Sequence, residues 1–102
     1  MDDCYICHNE PNARPFCSRP HIHNLKIWTK PFEAALNGLK RYEVRNSVDR
    51  SFFVGDCITL KEYIPETDVF TGRELFARIT YVTNSGTWGL PNDICVFGFE
   101  VI

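Results

Sequence analysis

Apolar positions along this chain switch between two spacings, and the switches predict its elements. Residues 24–28 (NLKIW) put Leu25 and Ile27 two apart, the spacing of a strand with one buried face. The next stretch, residues 29–38 (TKPFEAALNG), reads as a short helix. Phe32, Ala35, Leu36 and Leu39 follow i, i+3, i+4, i+7, Pro31 suits a first turn, and Gly38 suits a stop. Period two then returns in residues 40–46 (KRYEVRN), with Tyr42 and Val44 on one face and Arg41, Glu43 and Arg45 on the other. A polar loop (47–56) leads to a strand at 57–64 (CITLKEYI), with Ile58 and Leu60 inward. Residues 65–72 (PETDVFTG) read as a turn-rich link. Residues 73–82 (RELFARITYV) read as a long strand with Leu75, Ala77, Ile79 and Tyr81 on one face. A glycine- and proline-containing loop (83–92) precedes a largely buried closing strand at 93–102.

Residues 1–22 break this regularity. Three prolines and almost no periodicity mark them as a loop-rich N-terminal extension, and residues 23–102 as the domain proper. About five strands in succession after one early α-helix predict an α+β fold. Its sheet is expected to be mainly antiparallel and to curl into a small β-barrel with the helix plugging one side. A length of 102 residues fits one domain, and 44% hydrophobic residues with eight Phe, four Tyr and two Trp suffice for one modest core.

Charge narrows the function classes. Eleven Lys and Arg against thirteen Asp and Glu leave a net charge of −2, which argues against strong non-specific binding to a phosphate backbone. Recognition of a base, a nucleoside or an unpaired loop stays open. No apolar run approaches the roughly 20 residues of a membrane span, and the first ten residues lack the basic and apolar regions of a signal peptide. A cytoplasmic protein without membrane contact is expected.

Five cysteines are present, three of them crowded into the extension. Cys4 and Cys7 form a C-x2-C pair able to present two thiolates to one ion. Cys17 and His21 complete a tetrahedral set for a structural Zn2+, with His23 as the alternative fourth ligand and His8 geometrically less convenient. The competing account is three reduced thiols. Cys57 and Cys95 stand in strand-like runs and read as small buried hydrophobes.

The segment 37–45 (NGLKRYEVR) concentrates the chemistry. Lys40, Glu43 and Arg45 offer an ammonium, a carboxylate and a planar guanidinium. Such a set suits the polar edge of a base or, with a shifted pKa, acid–base catalysis. The bland account is a solvated strand edge carrying weak ion pairs. Here the sequence resembles a family: G-L-K-R-Y-E-V-R fits G-x-K-x-x-E-x-R, the signature of ASCH domains, small β-barrels of the PUA-like superfamily. The flanks follow in that family's order, from HNLKIWTKPFEAALNG through FFVGDCITLKEY and TGRELFARITYV to ICVFGFEVI. The chain is most similar to an uncharacterised ASCH-like family of bacteria and phages described as RNA-binding-like.

The resemblance implies a PUA-like barrel that recognises RNA or a modified nucleotide in a cleft around Gly38, Lys40, Glu43 and Arg45. It places His23 as the family's own residue before the first strand. It also implies an alternative, since some small ASCH proteins deacetylate acetylated cytidine with a lysine, a threonine and a later glutamate. Here the lysine is Lys40, Glu43 replaces the threonine, and Glu62, Glu74 and Glu100 are candidates for the later carboxylate. A hydrolase acting on a nucleoside amide or an RNA phosphodiester, with Lys40 and Glu43 as acid and base, is therefore the first alternative; a protein-interaction module binding a host protein is the second. Trp88 is expected either to stack on a base as a lid or to fold back over the core, and Tyr63 to line the cleft or cap the barrel. Trp28 is expected to pack. Arg50 and Arg73 read first as solvated cations, with approach to a phosphate as the other account.

Overall fold

The structure, a computed structural model, describes residues 21–48 and 50–102. It contains β1 (Ile22–Trp28), α1 (Thr29–Leu36), β2 (Tyr42–Asn46), β3 (Cys57–Ile64), β4 (Val69–Thr83) and β5 (Ile94–Val101). The strands form one sheet in the order β1-β3-β4-β5-β2. Pairing is antiparallel throughout except between β1 and β3, which run parallel, so the sheet is mixed and strongly curled into a half-barrel. A parallel neighbour requires a crossover, and α1, β2 and the loop after it provide the chain for it.

Alternation along each strand builds the inside. Leu25 and Ile27 of β1, Ile58 and Leu60 of β3, Leu75, Ala77 and Ile79 of β4, and Cys95, Phe97 and Phe99 of β5 are buried together, with Phe32 and Ala35 of α1 and Phe52 from the loop. Leu36 and Leu39, expected on the buried helix face, are exposed instead. The helix stops at Leu36, so only Phe32 and Ala35 reach the sheet.

Two irregularities of β4 change the expected faces. Residues 65–72 are not all link: the turn occupies 65–68, and Val69 already pairs with Ile64 and Phe70 with Tyr63. Asp68 adopts a left-handed φ of 55° to close this turn, and the Tyr63 and Phe70 rings pack 5.2 Å apart behind it. Further on, Ile79 faces Phe99 but Tyr81 faces Gly98, which inserts Thr80 as a bulge. One extra residue inverts the alternation. Tyr81 is therefore 67% exposed, and Val82 packs against the core in its place.

The polar loop is tied down by one buried pair. His23 is wholly buried, its ring 4.7 Å from Phe52, which lies 4.9 Å from Phe97. Its Nε2 lies 2.9 Å from Asp56 Oδ2, and the same oxygen accepts the Phe53 N–H at 3.0 Å. The Cys57 N–H donates to the His21 carbonyl at 2.8 Å and starts the parallel β1–β3 ladder.

Candidate functional site

The motif strand is an edge strand, and so is β1; the curl of the sheet brings the two to face each other across its open seam. Placement of Lys40 begins with the helix stop. The N–H groups of Leu39 and Lys40 both donate to the Ala34 carbonyl, at 2.9 and 3.1 Å, and that of Gly38 to Ala35 at 3.1 Å. Gly38 has φ 79°, a left-handed conformation that glycine alone adopts without a Cβ penalty, and it turns the chain from α1 toward β2.

Along β2 the polar face is the inward one. Glu43 is only 4% exposed, whereas its apolar neighbours Tyr42 and Val44 are 51% and 53% exposed. An ionised carboxylate at such a position needs partners, and it has two cations. Lys40 Nζ donates to Glu43 Oε2, and also to the Tyr42 carbonyl at 2.5 Å, lying 4.8 Å from the Tyr42 ring centre. Arg45 donates from Nε and Nη2 to Glu43 Oε1 at 3.1 and 2.9 Å. Arg45 Nη2 also reaches the Lys26 carbonyl on β1 at 2.9 Å. One guanidinium thus holds the carboxylate and clasps the two edges of the half-barrel.

Above this triad opens a cleft of about 410 Å³, whose lining includes Lys26, Trp28, Lys40, Tyr42, Glu43 and Arg45. Trp28 does not pack inside as expected but stands exposed at the rim. Among the described residues, Glu43 is the sole acid of the lining and carries both Lys40 and Arg45, so the cleft is positive in a chain that is negative overall, although the Lys26 ammonium lies outside it over the Tyr63 ring. Gly38 and Lys40 also line a neighbouring cleft of about 360 Å³ together with Glu100.

The other sequence-nominated residues divide. Tyr63 does not line the seam cleft; its hydroxyl donates to Asp68, which raises its pKa, and its ring lies 4.3 Å from Lys26 Nζ. Trp88 is 92% exposed at φ 52°, so it does not cover the core, and it stands outside the cleft lining. Of the three later glutamates, Glu100 shares a cleft with Lys40, whereas Glu74 pairs with Lys61 at 3.8 Å. Cys4, Cys7 and Cys17 lie outside the described residues, and His21 is buried just before β1. Among the described residues, no group of three or more His, Cys, Asp or Glu converges as a metal site.

Glu62 belongs to a second polar cluster that the periodicity does not reveal. Between the pairs Lys61–Glu74 and Tyr63–Phe70, β3 supplies only Glu62 while β4 supplies Thr71, Gly72 and Arg73. This bulge turns both flanking side chains onto one carboxylate. Arg73 donates to Glu62 Oε1 and Oε2 at 2.8 and 2.9 Å, and Thr71 Oγ1 donates to Oε1 at 2.6 Å. Arg73 also reaches Glu33 of α1 at 2.5 Å and lies 4.9 Å from the Phe32 ring centre. Arg73 is therefore engaged, not solvated. Its hydrogen bonds, followed by that of Thr71, hold the Glu62 carboxyl down to about 2, and Glu62 in turn raises the guanidinium above the usual arginine range. The signal that could have found this cluster is Gly72: with Val69–Thr71 taken as strand instead of link, it is an isolated glycine inside a strand and marks a bulge.

The chain is 43% identical over 67 residues to the "Uncharacterized 12.9 kDa protein in GpA 3'region" of Escherichia phage P2, a match covering 66% of this chain and 59% of that protein. Residues 22–99, from the first residue of β1 to Phe99 of β5, match the family described as "Domain of unknown function (DUF3850)", and the chain belongs to that family.

Proposed function

We propose that this chain is an ASCH-type, PUA-like module that recognises RNA or a modified nucleotide in the seam between β1 and β2. The observation that carries the reading is Glu43, buried in the cleft with Lys40 on one carboxylate oxygen and Arg45 on the other. Both oxygens are engaged, so the carboxylate acts as a fixed anchor that orients the two cations. Donors remain for a ligand: a lysine ammonium has three N–H bonds, and Arg45 Nη1 makes no hydrogen bond among the described residues. Such donors suit the acceptor edge of a base or a phosphate oxygen, and the exposed rings of Trp28 and Tyr42 suit stacking at the rim. Titration with nucleoside monophosphates and short single-stranded RNA, followed by NMR, is expected to perturb Lys40, Glu43 and Arg45. Arg45→Ala should weaken binding about tenfold, the equivalent of about 1.4 kcal/mol. Perturbation confined to the opposite face of the sheet rejects the reading.

A hydrolase is the second reading, favoured by Lys40 and Glu100 lining one cleft. It requires turnover of acetylated cytidine or a short RNA, abolished by Lys40→Ala and Glu100→Gln in proteins that remain folded. Engagement of both Glu43 oxygens disfavours that residue as a free base and supports recognition instead. The proposed zinc site on Cys4, Cys7, Cys17 and His21 predicts one equivalent of zinc by elemental analysis of the full chain; metal-free protein removes it.

A further inference from the structure

Positive charge on the seam extends beyond the Lys40–Glu43–Arg45 cleft, to Arg50. Beside the cleft already described lies a second depression of about 270 Å³, lined by Asn24, Lys26, Arg45, Asn46, Arg50 and parts of Leu25 and Phe52. Lys26, Arg45 and Asn46 line both, so the two are continuous along the β1/β2 seam. Among the described residues, no acid lines the second depression. Along the whole seam, again among the described residues, Lys40, Arg45 and Arg50 lie with a single carboxylate, Glu43, in a chain whose net charge is −2, while the Lys26 ammonium is turned away onto the Tyr63 ring.

An independent observation concerns Arg50. Its Nη1 is buried and has no hydrogen-bond partner among the described residues. A buried charged donor without a partner is destabilising, because the water it has lost is not replaced. A turn of the guanidinium toward the depression that Arg50 lines would offer this donor to an anion seated there. Asn24 and Asn46 add neutral amide groups to the same lining, and Arg's planar fork suits a phosphate's oxygens.

We infer that the depression around Arg50 is a second phosphate subsite, so that the seam takes a single-stranded oligonucleotide across two successive positions. This inference rests on the reading of the Lys40–Glu43–Arg45 cleft as a nucleotide site. The first position holds a nucleotide against Trp28 and Tyr42, and the second holds the backbone phosphate of its neighbour. A sparse set of cations on one seam reconciles strand binding with the acidic composition.

The test compares uridine monophosphate with oligouridylates of two and four nucleotides, by titration calorimetry on the full chain at several salt concentrations. The oligonucleotides should bind at least tenfold more tightly than the monophosphate. Arg50→Gln should remove most of that advantage, lower the salt slope by about 0.7, the contribution of one phosphate contact on a single strand, and leave the monophosphate unchanged. Arg50→Lys, which keeps the charge, should retain part of it. Equal affinity for monophosphate and oligonucleotide, or an advantage that survives Arg50→Gln, overturns the subsite and leaves the first cleft intact. An oligoglutamate peptide bound as tightly as the oligouridylate overturns it in favour of an acidic protein partner. Binding of neither nucleotide probe removes the cleft reading and the subsite with it.

Discussion

Glu43 does two jobs with one carboxylate: it orients Lys40 and Arg45, and it is the reason an edge strand turns a polar face inward. Replacing it separates these roles. Glu43→Gln keeps the shape but sets an amide donor against two cations, and should lower stability by about 2 kcal/mol in urea denaturation. Arg45→Lys tests the clasp, since one ammonium cannot hold both Glu43 and the Lys26 carbonyl in the fork geometry, and it should weaken nucleotide binding as well as stability. At Glu62 the prediction is a pH dependence. Its carboxyl is held at about 2, chiefly by Arg73, below an unfolded value of 4.5. A depressed folded pKa adds stability that is complete above 4.5 and is lost as pH falls from there toward about 2. The melting temperature of the native chain should therefore fall over that window more steeply than that of Glu62→Gln. Parallel curves would show that Glu62 does not carry this effect.

Among the elements, the bulges of β4 decide most. Gly72 sits at φ 93° between Thr71 and Arg73, and this conformation lets both residues turn onto Glu62. Gly72→Ala meets no steric obstacle but strains the backbone, at a cost of about 1 kcal/mol. Because the bulge creates the carboxylate's partners, the same substitution should move the Glu62 carboxyl back toward its ordinary value, measured by NMR titration. An unchanged Glu62 titration in Gly72→Ala would separate the bulge from the cluster. The helix illustrates the opposite case. Its stop at Gly38 is legible from the glycine alone, while its inward face is smaller than the apolar pattern suggests, because the chain leaves the helix before Leu39 can join Phe32 and Ala35.

At the scale of the molecule, the half-barrel holds together through a core that runs from His23 and Phe52 to Phe97. Phe97→Ala, at a wholly buried position on β5 directly opposite Glu43 in the register, should cost about 3–5 kcal/mol. Thermal or urea unfolding measures this directly, and a loss under 1 kcal/mol would mean that the site collapses around the cavity. The same residue stands behind the motif strand, so nucleotide affinity should fall with stability in milder variants such as Phe97→Leu. The sheet order also explains where the site is. The curl leaves β1 and β2 as edges facing each other, and the seam between them gathers Lys40 and Arg45 of the motif with Arg50 of the polar loop.

Local pattern was enough for the existence of each element. Period two in residues 57–64, the helical spacing from Phe32 to Ala35 and the glycine at 38 depend on neighbours along the chain, and the structure has each where the pattern puts it. The motif residues Lys40, Glu43 and Arg45 were equally visible, because a carboxylate and a guanidinium two apart on a strand share a face. Which face that is, however, is not a local property. Glu43 points inward because β2 pairs with β5 in a register that sets it opposite Phe97, and because Lys40 and Arg45 converge to neutralise it. The outward turn of Tyr81, the meeting of Thr71 and Arg73 on Glu62, and the placing of Arg45 and Arg50 along one seam have the same origin. Side-chain alternation follows from backbone geometry within each segment, whereas burial, partners and the shape of the seam are set by pairings between residues far apart in the chain.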